Sequence, residues 1–537
     1  MARVTPDPPP PPGSADRSEP LNLARVCIEA HASAPASAGR PAFSFLLDAP
    51  GGDSNAAGAV SESWTYAELW ERVQAVGRGL LARGLTPGDR VLVRLPHSPE
   101  YAFAFFGATL AGLVPIPASP QLTAEEAEFL LDDAEAAALV SAPETRVEGF
   151  AGVAVDVSEL AALDGPGPLP ETRAEDPAFL IYTSGTTARP KGVLHAHRTI
   201  RGRMLMRDGW EGFGPDDVTL HAGTLNWSYT LGVGLMDPWL AGAHALLFGG
   251  RYDPAAWPAI LVRHRVTVFC AVPTVYRQML KYGQPEDAGL TALRHGLCAG
   301  EPLPVALLEE WRDRVGTELY EALGMTELST YISSGPATPV RPGSPGQPQP
   351  GRRVAILPED EESPNATEPL PAGSVGRLAA HRSDPGLMLG YWRRPEEERA
   401  VYRGDWFVGG DLAALDEDGY LWFHGRSDDV IKSFGYRLSP VEIEATVAAH
   451  PAIAEAAVVA VTVEEGKTLV IAAVVPQDGA MLDEGALRRH AEEHLAGYKR
   501  PHEYRVVEAL PRTRNGKVQR STLAREFAAA AKGKARP

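Results

Sequence analysis

The stretch YTSGTTARPKGV, residues 182–193, gathers the hydroxyls of Thr183, Ser184, Thr186 and Thr187 around Gly185, with Lys191 and Gly192 close behind. Hydroxyls supply hydrogen-bond donors, glycines let backbone N–H groups approach a ligand, and the lysine adds a point positive charge. A donor-rich loop of this kind suits a polyphosphate. FLIY before it reads as a strand and HAHRTIRGRM after it as the start of a helix. A polar surface turn has a similar composition, and is the better reading for a shorter Ser/Gly/Thr run. The Gly-x-x-x-x-Gly-Lys-Ser/Thr pattern is absent, so kinase and P-loop ATPase readings lose most of their support.

Three further segments follow in order and at wide spacing: YEALGMTE (320–327), GDWFVGGDLAALDEDGYLWFHGRSDDVIKSFGYRLSPVEIE (404–444) and LPRTRNGKVQR (510–520). With the first stretch they closely resemble the adenylate-forming superfamily of acyl-CoA synthetases, luciferases and nonribosomal-peptide adenylation domains. The resemblance covers nearly the whole chain after roughly the first 20 residues, and four ordered motifs are far more specific than any single one. LMDPWLAGAHALLF, AVPTVYRQML, SFGYRLSPVEIE and GYKRPHEY look most like medium-chain acyl-CoA and benzoate-type ligases. That resemblance implies a two-step reaction. A carboxylate and ATP give an acyl-adenylate and pyrophosphate, and the thiol of coenzyme A then displaces AMP.

The resemblance also assigns roles. Thr183, Ser184, Gly185, Thr186, Thr187 and Lys191 would wrap the β- and γ-phosphates. Thr326 would donate to the α-phosphate, and Glu327 would hold Mg2+, a hard cation that prefers oxygen ligands. Gly300, Glu301, Glu321, Ala322, Leu323, Gly324 and Met325 would form the adenine and nucleotide pocket. Asp411 would accept both ribose hydroxyls, helped by Arg426, although GGD alone suits a turn. Lys517 matches the family's C-terminal catalytic lysine, bridging the carboxylate oxygen and α-phosphate as negative charge moves. Alone, a lysine flanked by Arg512, Arg514 and Arg520 would read as a solvated basic face.

Asp428 matches the family hinge, where the small domain would rotate to exchange Lys517 for SFGYR. Taken singly it is an ordinary loop carboxylate. Gly435 would let the pantetheine pass between Phe434 and Tyr436, with Arg437 and Lys499 as phosphate contacts. For the acyl pocket, Trp227 falls where relatives place an aromatic gate, and Asn226, Leu231, Gly300 and Tyr331 join it as lining residues. An aromatic here is core packing about as often as it faces substrate. His195, His197 and His221 have no carboxylate or cysteine to complete a metal-ligand set. Cys298 reads as a small buried apolar residue. Two positions depart from relatives: Ala188 replaces a usual glycine, and Leu323 a usual adenine-stacking aromatic. Both bear on nucleotide affinity and neither removes a catalytic group.

These residues need a scaffold of more than one domain, which 537 residues can supply. Helix- and strand-like runs alternate: 66–84, RVLVRL (90–95), a helix from about Glu100, LVPIPA, then TAEEAEFLLDDAEAAALV. After the first motif come HALLFG (244–249), VTVFCAVP (266–273) and RHGLCAG (294–300). Such alternation predicts a largely parallel sheet covered on both faces. Between 340 and 425, Pro/Gly turns separate short strands such as GRLAAH and GYLWFHG, which reads as a β-rich subdomain. The expected fold class is therefore α/β multidomain: a disordered proline-rich tail (1–20), a large domain (21–426), and a small mobile α+β domain (427–537).

The formal net charge of -18 argues against general affinity for nucleic acid or anionic membrane. Cys27, Cys270 and Cys298 are far apart, which fits a reducing cytoplasm. Pro115, Pro117 and Pro120 interrupt the charge-poor run from Tyr101 to Ala124, so no transmembrane helix is expected. The expected partners are ATP, a medium-chain aliphatic or aromatic carboxylic acid, and coenzyme A. Oligomeric state is silent, with a homodimer left open. The rival enzyme loads its acyl group onto a carrier protein. A rival of another class is a catalytically dead nucleotide sensor, against which the presence of Lys191, Glu327, Asp411 and Lys517 argues.

Overall fold

In the computed structural model the described residues are 19–48, 58–183, 190–360, 366–426, 431–433, 436–438, 440–464, 467–495, 497–512 and 518–534. They form two compact units: Met1–Val354 with Ala380–Phe407, and Ala355–Ala379 with Val408–Pro537.

The first unit is built on a nine-stranded sheet whose centre is parallel. Its central order is Glu318–Met325, His295–Ala299, Val268–Ala271, Val218–His221, His244–Phe248 and Pro41–Leu47. Antiparallel strands close the edges, Ser329–Ser333 and Gln347–Pro348 on one side and Ala59–Thr65 on the other. Central strands such as Val268–Ala271 and His295–Ala299 are buried along their whole length. Apolar runs without alternation are what a sheet covered on both faces requires. A second, wholly parallel sheet orders Val114–Pro117, Arg90–Arg94, Ala138–Ser141 and Val153–Asp156. Its helices follow the expected pattern. Tyr66–Ala82 opens on a Thr65/Glu68 capping box, and Gly84 just beyond it takes φ 91°. In Pro99–Leu110 every residue except Glu100 is buried. Among the described residues no helix is long and apolar enough to cross a membrane.

Two local expectations change. The run TAEEAEFLLDDAEAAALV is not one helix: Ala124–Asp133 ends, Glu135 turns with φ 49°, and Ala138–Ser141 enters the parallel sheet. Alanine, leucine and valine satisfy a buried strand as readily as a helix, so periodicity alone does not separate them. HAHRTIRGRM does not start as a helix either. Lys191–Ala196 is a strand, and the helix begins only at Thr199.

The β-rich stretch supplies Val354–Leu357, Gly376–His381, Trp406–Leu415 and Leu421–Arg426 to one sheet. Beyond it, the long antiparallel pair Ile453–Glu464 and Lys467–Pro476 takes Glu503–Val506 as a parallel third strand. Successive residues serve opposite cores. Val458 and Val470 pack with Ile443 and Leu487, while Val459 and Ile471 pack with Leu523 and Phe527. This is the expected small α+β arrangement.

Within the first unit, residues 380–407 return to the main body through a buried ion pair. Arg352 donates to both carboxylate oxygens of Asp384 at 2.8 Å and to the carbonyls of Gly202 and Thr330. The two side chains are 0% and 2% exposed. Asp384→Ala, which strands a buried guanidinium, is expected to cost about 3–5 kcal/mol in urea unfolding. The double replacement Arg352→Met/Asp384→Leu should recover part of that loss; equal or larger loss would contradict the role of the pair.

Candidate active site

The donor-rich stretch is the connection of a β-hairpin. Pro177–Thr183 and Lys191–Ala196 pair antiparallel, with Thr183 opposite Lys191. Ser184, Gly185, Thr186, Thr187 and Ala188 lie outside the described residues. Gly192 serves packing: a Cβ there would stand 2.9 Å from Leu180 Cδ1 and 3.3 Å from Trp392 Cβ.

A third strand of two residues, Gly390–Tyr391, lies along the second arm of this hairpin, Tyr391 opposite Val193. The Trp392 N–H donates to Gly192 O at 2.8 Å and continues the ladder. This register puts the buried Tyr391 ring under Lys191, whose Nζ lies 3.7 Å from the ring centroid and 3.8 Å from Glu397 Oε2. The Tyr391 hydroxyl donates to Glu327 Oε1 at 2.6 Å, and the Met388 N–H donates to the Glu327 carbonyl at 2.8 Å. Burial, and then the Glu327 carboxylate, push the phenol far above its ordinary range, so it stays a protonated donor. Lys191 and Glu327, from separate motifs, thus meet on one side chain. Tyr391 itself was not among the sequence-based candidates.

Thr326 and Glu327 occupy the turn between Glu318–Met325 and Ser329–Ser333. That turn is tightly specified. Gly324 has no room for a Cβ, which would lie 2.7 Å from Ser329 O, and Ser329 takes φ 72°. Arg203 holds Ser329 Oγ at 3.0 Å while pairing with Asp237 at 2.6 and 2.5 Å. His195 stacks on Phe179 at 4.6 Å and hydrogen-bonds the backbone of Thr326; burial lowers its pKa to about 3.

The parallel register brings Cys298 beside Glu321 and Ala299 beside Ala322. Gly300 and Glu301 leave the neighbouring strand at the same end as the Thr326–Glu327 turn, where α/β sheets place ligands. Glu301 accepts from the Thr274 hydroxyl at 3.0 Å, and Glu321 accepts from the Leu303 N–H at 2.9 Å. Burial raises the Glu321 carboxyl to about 7, opposed by that backbone bond. Ala322 points into the apolar core, Leu323 sits opposite Ile332, and Met325 opposite Ser329. Cys298 is fully buried, and burial pushes its thiol up.

Trp227 precedes the short helix Ser228–Leu231 and covers Gly300: a Cβ on that glycine would be 3.2 Å from Trp227 Cζ2. Tyr229, also absent from the sequence-based set, makes edge contacts with Trp227 at 5.4 Å and His221 at 4.5 Å. Asn226 accepts from the Thr224 hydroxyl at 2.8 Å. Leu231 joins the core with Leu225 and Leu235, and Tyr331 is fully buried in Ser329–Ser333. His197 and His221 use Nδ1 to accept from the backbone N–H groups of Leu23 and Gly223. Burial lowers them to about 4 and about 3, so both are neutral. Among the described residues no group of three His, Cys, Asp or Glu side chains is placed to hold a metal ion.

In the second unit Asp411 is a strand residue, directly opposite Arg426. The Arg426 Nη1 lies 3.4 Å from Asp411 Oδ1, in space that exists because residue 410 is glycine: a Cβ there would be 2.4 Å from Arg426 Nη2. Lys499 pairs with Glu442 at 2.5 Å. Tyr436 and Arg437 lie on the strand Tyr436–Leu438, their side chains outside the described set. Asp428, Phe434, Gly435 and Lys517 are outside the described residues. Arg512 and Val518, the described residues on either side of Lys517, form an antiparallel bridge. Arg512 pairs with Glu455 at 2.9 Å, and Arg520 forks onto Glu444 at 2.8 and 2.6 Å.

The raised Glu321 carboxyl has a consequence for stability. Between the ordinary value of 4.5 and about 7 the folded chain holds a proton that the unfolded chain has lost, so stability falls as pH rises through this window. Glu321→Gln, which keeps an acceptor for Leu303, should remove that slope and gain about 3 kcal/mol at pH 8. Chemical denaturation at pH 5 and pH 8 measures it; an unchanged slope in the variant would contradict the burial argument.

Residues 32–392 match the AMP-binding enzyme family, and residues 442–517 its C-terminal domain. The chain is 34% identical over 487 residues to a benzoate–CoA ligase of Thauera aromatica, covering 86% of this chain and 90% of that protein. The anthranilate CoA ligase AuaEII in complex with anthranoyl-AMP superposes with a TM-score of 0.84 at 27% identity, covering 97% of this chain and 99% of that one. ATP-bound MatB from Rhodopseudomonas palustris gives 0.85 at 27%, covering 95% and 100%. The family match spans both the hairpin that carries Lys191 and the turn that carries Glu327, and this chain belongs to the AMP-binding enzymes, adenylate-forming enzymes of the acyl-CoA and benzoate–CoA ligase kind.

Proposed function

We propose that this chain joins a carboxylic acid to coenzyme A in two steps at the expense of ATP. A carboxylate oxygen attacks the α-phosphorus and pyrophosphate leaves, giving an acyl-adenylate. The coenzyme A thiol then attacks the acyl carbon and AMP leaves. The observation that carries this reading is the meeting of Lys191 and Glu327 on Tyr391. A cation suited to the outer phosphates stands over the face of one ring, and a carboxylate suited to a phosphate-bound cation stands at its hydroxyl. The benzoate–CoA ligase relative, the neighbour holding anthranoyl-AMP and the neighbour holding ATP support the same chemistry.

Glu327 fits Mg2+, because that ion takes one or two protein carboxylates and completes its shell with phosphate and water oxygens. When bound, the ion would neutralise charge on the phosphates. Thr183 to Lys191 hold the β- and γ-phosphates in this reading, and Thr326 the α-phosphate. The loop from Gly300 and the strand end Glu321–Met325 receive adenine, and Asp411 with Arg426 receives the ribose. Lys517 stabilises the charge that moves in the first step, and Asp428 is the pivot between the domains 21–426 and 427–537. Gly435, Phe434, Tyr436, Arg437 and Lys499 serve coenzyme A in the second step. The acid in this reading is medium-chain aliphatic or aromatic, which the ring of Trp227 beside Gly300, in edge contact with Tyr229, supports. A cytoplasmic setting suits the three buried free cysteines.

A pyrophosphate-exchange panel over acids of graded length and aromaticity tests this reading. Exchange should appear with benzoate-like or medium-chain acids, and absence of acid-dependent exchange across the panel would overturn it. Lys517→Ala should lower exchange by about 100-fold or more. It should retain most thioesterification of supplied acyl-adenylate, whereas equal loss of both steps would count against its role.

A further inference from the structure

We infer that Tyr391 is a positioning residue for the ATP–metal site, with its two ends serving two different groups. The inference rests on the roles proposed above for Lys191 and Glu327. The hydroxyl end donates to Glu327 Oε1 at 2.6 Å, which sets the plane of the carboxylate and commits one of its oxygens. The ring face lies 3.7 Å from Lys191 Nζ, which fixes where that cation stands at the foot of the hairpin.

Three features separate this from ordinary core packing. The segment grips Glu327 twice, through the hydroxyl and through the Met388 N–H on the Glu327 carbonyl. The strand Gly390–Tyr391 is hydrogen-bonded to the strand that begins at Lys191, so one backbone ladder sets both contacts. Tyr391 is only 5% exposed, and its hydroxyl supplies the proton of this hydrogen bond while the carboxylate accepts it. A donor behind a metal-binding carboxylate orients the ligand, and losing such a partner typically costs about 10- to 100-fold in metal affinity.

Tyr391→Phe and Tyr391→Leu separate the two ends. The readouts are Mn2+ bound to the enzyme–ATP complex, followed by the free-ion electron paramagnetic resonance signal, and ATP bound without divalent metal. Tyr391→Phe keeps the ring, and should weaken Mn2+ about tenfold while leaving metal-free ATP affinity within about twofold. Its lost pyrophosphate exchange should return as Mg2+ is raised. Tyr391→Leu should weaken metal-free ATP binding as well, and excess Mg2+ should not restore it. Mn2+ affinity unchanged in Tyr391→Phe, or a loss of exchange that Mg2+ cannot restore, overturns the inference. If Tyr391→Leu melts below the assay temperature, Tyr391→Phe decides alone. A wild-type enzyme that adds nothing to the Mn2+ affinity of ATP would instead overturn the proposed function on which the inference rests.

Discussion

A strand of two residues carries the geometry on which this site depends. Gly390–Tyr391 can pair with Lys191–Ala196 only because residues 380–407 come back to the first unit. That return is held by Arg352 and Asp384, an ion pair with almost no exposure. Such a pair adds little net stability over well-packed apolar residues, but it is costly to break on one side. It anchors the start of the return, and Arg198 holds the next residues through the Pro385 and Leu387 carbonyls, which together set where the strand lies. From that place follow the Tyr391 hydroxyl on Glu327 and the Tyr391 ring under Lys191. A hydrogen bond to a charged acceptor contributes about 1.5–3 kcal/mol, and a partly buried cation–π contact about 0.5–2 kcal/mol. These are modest energies, and they suffice because the backbone ladder has already fixed both groups.

The turn bearing Thr326 and Glu327 is constrained from its other side too. Gly324 must lack a side chain, Ser329 sits in the left-handed region, and Arg203 secures it from a buried pairing with Asp237. Strain of this kind persists only where surroundings over-determine it. Here those surroundings are the antiparallel edge of the sheet and the helix that carries Arg203.

Much of this architecture was legible in the sequence, and the failures are physical. The parallel strands were readable because burial on both faces writes continuous apolar runs, as in Val268–Ala271. Lys191, Thr326, Glu327 and Asp411 stood out because chemistry restricts their residue types and the motifs fix their order. Tyr391 did not, since a Gly-Tyr pair in a Pro/Gly-rich region looks like any turn, and its meaning lies in a contact far along the chain. Tyr229 was missed for the same reason: an aromatic beside Trp227 reads as packing until its edge contacts are seen. The helix read into 134–140 failed because alanine-rich runs satisfy strand and helix patterns alike. At Gly192 the structure adds a packing reason that the sequence does not show, since Leu180 and Trp392 stand where a Cβ would lie.

Activation of the carboxylate as an adenylate moves one of its oxygens onto AMP, and isotopic labelling follows that oxygen. The acid is supplied with both carboxyl oxygens as 18O, together with ATP, Mg2+ and coenzyme A, and the products are read by 31P NMR and mass spectrometry. The predicted result is AMP carrying one 18O on phosphorus, unlabelled pyrophosphate and an acyl-CoA retaining one 18O. Label in inorganic phosphate with ADP as co-product, or unlabelled AMP, would contradict an acyl-adenylate and with it the account given for Lys191, Glu327 and Lys517.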